Sequence, residues 1–121
     1  MEKQKQIVQG DILFIRLPFQ GTQGHALDYM QSESPVIAEG EKTGHKHMLT
    51  SGLFNLFTGQ AGFALSERGG VSDAFACLFV QEEATVSHEE HSPAVLEPGW
   101  WGIRRQRRED YKAATARIVD D

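Results

Sequence analysis

Residues 35–58 read PVIAEGEKTGHKHMLTSGLFNLFT, and this stretch decides the fold class. Val36-Ile37-Ala38-Glu39 is short, apolar and β-branched, the composition of a strand. Gly40-Glu41-Lys42-Thr43 is a turn of hairpin length. Residues 44–50 form a second strand, Ser51-Gly52 is a further turn signal, and residues 53–58 form a third strand. In a strand, side chains two apart share a face, so His45 and His47 are predicted to aim at one point. Leu49 continues their face and marks it as the inward one.

The same rhythm runs outward in both directions. Upstream, Gly10-Asp11 precedes residues 12–17, ILFIRL, a strand apolar on both faces that belongs near the middle of the structure. Pro18 ends it. Residues 19–34 form a long loop that holds His25, which is expected to face solvent. Downstream, residues 59–62 turn, residues 63–66 form a weaker strand, and residues 67–70 turn again. Residues 74–80 read as a strand rather than a buried helical turn, by their length and flanking turns. Residues 94–96 form a short strand, and Glu97-Pro98-Gly99 is a turn in which proline presets φ. Residues 100–107 are the last long strand, with a helical turn over 109–116 and an edge strand over 117–119. No helical pattern of ten residues or more is visible. The expectation is an all-β chain with little helix, a single small barrel or sandwich over residues 1–121.

A second histidine pair follows residues 85–87. In His88-Glu89-Glu90-His91, residues Val86, His88 and Glu90 share a face. His91 joins that side only if the chain turns after His88, and Pro93 favours a change of path nearby. The candidate metal ligands are therefore His45, His47, His88 and His91, or three of these imidazoles with a carboxylate from Glu90 or Glu89. Glu90 ranks first because it shares the Val86 face, and Glu89 reads first as a solvated turn residue. Neutral imidazole suits zinc, nickel, copper or iron(II). The alternative for the same residues is a hydrogen-bonded His–Glu network that orders a turn. No catalytic residue is identified.

Composition bounds the rest. The chain has 121 residues, one cysteine and a net charge of −5. That charge argues against general nucleic-acid binding. Cys77 lies in an apolar run and reads as a small core residue. No stretch approaches the roughly 20 apolar residues of a membrane span. The polar residues 1–6 lack the apolar region of a secretion signal, so the cytoplasm is expected. Arg104-Arg105-Gln106-Arg107-Arg108 is the one dense positive stretch. It reads either as a site for a small anionic ligand, carboxylate or phosphate, or as surface ion pairs with Glu109, Asp110 and the acidic C-terminus. Trp101 and Ile103 are assigned to the core. Trp100 is left to the surface, where it would indicate a homo-oligomer.

Thr43-Gly44-His45-Lys46-His47, His88-Glu89-Glu90-His91-Ser92-Pro93, Pro98-Gly99 and Arg104-Arg105-Gln106-Arg107 together resemble a small family of uncharacterised bacterial and phage-associated β proteins. The resemblance spans residues 7 to about 111 and brings no catalytic residues with it. His45 and His47 also resemble, more loosely, the His-x-His strand of cupins, which implies a metal-binding jelly roll. Ser51 and Gly52 stand where cupins carry a glutamate, and Pro98-Gly99 follows the second histidine pair instead of preceding a lone histidine. The expected function is a cytoplasmic, metal-binding β-barrel protein holding zinc, nickel or iron. The rival is a non-enzymatic assembly or interaction module whose histidines are structural.

Overall fold

Seven strands and one helix form among the described residues of the computed structural model, which are 5–21, 32–39 and 44–107. They are β1 (Gln6–Gln9), β2 (Ile12–Arg16), β3 (Val36–Glu39), β4 (Lys46–Thr58), α1 (Gly59–Arg68), β5 (Ala76–Ser87), β6 (Ala94–Leu96) and β7 (Gly99–Arg105). They make one antiparallel sheet in the order β1-β2-β7-β5-β4-β3. β5 is shared along its length: residues 76–80 pair with β7, and residues 84–86 pair with β6. The chain is mostly β, as the turn spacing predicts.

The sheet curls so that its β1 edge meets β5, β6 and the start of β4. The Gln9 side chain on β1 reaches the Val86 backbone on β5 and the His47 ring on β4. Inside the curl lies one apolar cluster, with Phe14, Leu49, Leu56, Leu78, Val86, Leu96, Trp101 and Ile103. The outer face carries a second cluster, with Leu13, Leu17, Phe57, Leu65, Cys77 and Trp100. Strand β2 feeds both, which is why its residues are apolar on both faces. Two buried faces also correct the reading of Trp100. It is 1% exposed, its ring stacks on Phe79, and its indole N–H donates to the Gly21 carbonyl. It offers no surface to a partner.

Four other segments differ from expectation. Residues 59–68 are helical, where a turn and a weak strand were expected. Gly59 and Gly62 look like breakers, but Gly62 is a packing residue. A Cβ there would run into the Phe57 carbonyl and the Ala76 backbone. The helix presses Leu65 onto the outer face, and the Ser66 hydroxyl donates to the Ala76 carbonyl. Ser51-Gly52 does not end a strand. β4 runs through it with register shifts between Leu49 and Phe54. The polar residues 81–83 likewise stay within β5, where they face solvent. β1 was not anticipated, because two of its four residues are glutamine. The 40–43 turn, His25, Arg108 and the segments expected over 109–119 lie outside the described residues. No helix among the described residues is long and apolar enough to cross a membrane.

Cys77 is fully buried under α1, and burial pushes its thiol up to about 12. A thiol that is neither exposed nor ionised is a poor nucleophile. Iodoacetamide at pH 8 is therefore expected to leave native Cys77 unmodified over an hour and to modify it fully in denaturant. Rapid modification of the native protein would mean that α1 lifts off the sheet.

Candidate metal site

The site sits where the curled sheet closes. Three segments meet there: the Gly10-Asp11 turn between β1 and β2, residues 45–47 entering β4, and residues 88–92 leaving β5. Alternation works as predicted at His47 and Leu49, which are 0% and 4% exposed. His45 lies one residue before β4, after Gly44 with φ of 83°, and turns toward the mouth of the site. Val86 is buried, His88 follows the end of β5, and the chain bends over residues 89–91. The bend brings His91 back against His88.

His88 is the hub of the cluster. Its ring centre lies 5.8 Å from that of His45, 4.5 Å from His47 and 4.6 Å from His91. Metal–nitrogen bonds of about 2.0–2.1 Å place the ring centres of two imidazoles on one ion roughly 4.5–5.5 Å apart, the range these spacings occupy or border on. The donor atoms divide the cluster more finely. Those of His45, His88 and Glu89 all lie within 4.8 Å of one another. His45 Nδ1 is buried and makes no hydrogen bond among the described residues. A Glu90 oxygen stands 3.8 Å from that nitrogen. Glu89 accepts the Lys46 backbone N–H at 2.9 Å. That bond, then a bond from its own backbone N–H, then the neighbouring His45 and His88, hold its carboxyl below the ordinary glutamate range. Glu89 is thus a carboxylate facing two imidazoles. The Glu90 backbone N–H donates to His88 Nδ1, so the unliganded neutral ring carries its proton on Nε2.

His47 stands apart from that triad. Its Nδ1 is 2.8 Å from Gln9 Oε1, and its Nε2 is 3.2 Å from Asp11 Oδ1. Burial is the largest influence on it and lowers its pKa, against the raising effect of Asp11. His91 packs over Gly10: a Cβ added to that glycine would lie 2.6 Å from His91 Nε2. Gln9 and Asp11 have no counterpart in the sequence reading. Asp11 looked like half of a Gly-Asp turn, and nothing local marked Gln9 as buried.

Of the described arginines in residues 104–107, two are ion-paired and a third is buried. Arg104 is 6% exposed, Arg105 pairs with Asp11 and Arg107 with Asp73. Among the described residues their acidic partners are Asp11 and Asp73, and the C-terminal acids lie outside those residues.

A family model described as "Domain of unknown function (DUF8820)" matches residues 8–106. No curated protein and no solved structure matches the chain.

Proposed function

The chain belongs to the DUF8820 family, whose description assigns no activity, so the side chains must carry the functional reading. We propose that this protein binds a divalent transition metal, zinc, nickel or iron(II), through His45, His88 and Glu89. Two observations carry the reading: two imidazoles and an ionised carboxylate present donors within 4.8 Å of one another, and His45 Nδ1 is buried with no hydrogen bond among the described residues. A buried polar atom with no partner is costly in a finished structure, and an ion would satisfy it. Nitrogen and oxygen donors of this kind suit zinc and iron(II). Three protein donors leave a position for water or a small anionic ligand. Ion binding must displace either the His88 Nε2 proton or the Glu90 N–H contact at Nδ1. Only neutral imidazoles ligate, so affinity should fall on acidification.

The test is metal content by mass spectrometry on tag-free protein after incubation with each ion and removal of excess. Wild type should retain metal. His45→Ala, His88→Ala and Glu89→Gln should each bind at least roughly 10–100-fold more weakly, the scale that losing only a supporting partner of a ligand costs. No metal in wild type, or the same content in all four proteins, would reject the site. A stable fold in that metal-free protein would favour the interaction module.

A further inference from the structure

The hydrogen-bond pattern around His47 leaves a cation unaccounted for. Gln9 is 0% exposed, and its amide nitrogen donates to two carbonyls, Val86 at 2.8 Å and Ser92 at 3.0 Å. Turning the amide over would set its oxygen against both carbonyls. Its orientation is therefore fixed, and Oε1 faces His47 Nδ1. An amide oxygen only accepts, so Nδ1 must carry the hydrogen. In the neutral ring, Nε2 is then a lone pair. That lone pair faces Asp11 Oδ1, a carboxylate oxygen, at 3.2 Å. The other Asp11 oxygen is held by Arg105. Two acceptors face each other, and a cation, a proton or a metal ion, would join them.

We propose that His47 and Asp11 form a second divalent-metal site, with Nε2 and Oδ1 as the two protein donors. The spacing fits. Metal–nitrogen and metal–oxygen bonds of about 2.0–2.2 Å put two adjacent donors roughly 2.9–3.5 Å apart. The surroundings fit as well. A ligating histidine ordinarily donates its other ring N–H to an oxygen, and Gln9 supplies that oxygen. A ligating carboxylate is ordinarily held by a second group, and Arg105 supplies it. His47, a ligand of the inner site, has its ring centre 4.5 Å from that of His88, so the inner site lies beside the outer one. The inner site does not require the outer one to be filled.

The test uses the full tag-free chain titrated with Zn²⁺ by calorimetry and with Co²⁺ by visible absorption. Asp11→Asn is the informative variant. Its amide can donate to the His47 lone pair, so without a metal the substitution satisfies the corner instead of damaging it. Wild type is expected to bind two equivalents. Asp11→Asn should lose one or weaken it roughly 10–100-fold, with a changed cobalt spectrum. Glu89→Gln should affect the other equivalent. Asp11→Glu keeps the charge opposite Arg105 and moves the oxygens by one methylene. It should also weaken the inner ion, and it decides the matter if Asp11→Asn fails to fold. One equivalent, lost in Glu89→Gln and unchanged in both Asp11 variants, would overturn the inner site and leave the outer one standing. Nitrogen-15 shifts showing a doubly protonated His47 at neutral pH, with metal present, would also overturn it, because the cation would then be a proton.

Discussion

Gln9→Leu is expected to cost roughly 3–6 kcal/mol of folding stability, at about 1–3 kcal/mol for each buried polar group left without a partner. Leucine fills the space but makes none of the three bonds. It abandons the His47 Nδ1–H, the Val86 carbonyl and the Ser92 carbonyl. The Val86 carbonyl and the His47 ring are in the interior and find no replacement. Ser92 is exposed, so water can recover part of its loss. Domains of this kind are stable by about 5–15 kcal/mol, so the variant should unfold at a much lower urea concentration. Gln9→Glu is the sharper comparison. It retains an acceptor for His47 and sets carboxylate oxygens against two carbonyls. It should therefore be destabilised at neutral pH and partly recover as the glutamate protonates, since the acid form can donate to one of them. A change in midpoint equivalent to less than about 0.5 kcal/mol for Gln9→Leu, the size of an ordinary surface substitution, would mean that the network does not hold the seam.

Gln9 also marks the limit of what the sequence exposes. Glutamine is mostly a surface residue, and this one precedes a Gly-Asp turn. Its burial follows from the sheet curling until β1 meets β5, 77 residues away in the chain for the Val86 contact. No local pattern encodes that closure. Local patterns did encode part of the frame. β3 and β7 were legible from β-branched and aromatic runs bounded by turn residues. The inward faces of His47, Leu49 and Val86 followed from alternation. The bend that returns His91 to His88 was legible from Pro93 as a change of path. Glu89 was read as solvated because it lies off the Val86 face. Glu89 is exposed, as that reading has it, but the bend over residues 89–91 also brings its carboxylate close to His45 and His88. Glycine misled twice, at Gly52 and over residues 59–62. A glycine that stops a strand and one that lets two backbones touch look the same in one dimension.

Gly52→Ala tests that second role, and its expected cost is about 3–5 kcal/mol. Two effects add. Gly52 has φ of 102°, a left-handed conformation that costs an L-residue roughly 1–2 kcal/mol. A Cβ there would also lie 2.5 Å from the Glu83 carbonyl oxygen and 2.6 Å from the Ala84 Cα. Those obstacles are backbone, which cannot rotate away, so the overpacking cost of about 1–3 kcal/mol should fall toward its upper end. Gly70→Ala separates the two effects. It has φ of 93° and nothing within 4 Å of its Cβ position, so it carries the conformational cost alone. The difference between the two variants in urea midpoint therefore measures the contact. A difference below about 1 kcal/mol would mean that β4 and β5 do not approach closely at Gly52. The contact bears on the site because the register shifts that surround it bend the paired strands. Residues 45–47 lie before that bend on β4, and residues 88–91 follow the partner strand β5. Forcing the strands apart at Gly52 should separate His45 from His88 and Glu89. Gly52→Ala is thus expected to lower metal affinity as well as stability, while Gly70→Ala, distant from the histidines on the chain, should leave the metal content of the folded protein unchanged.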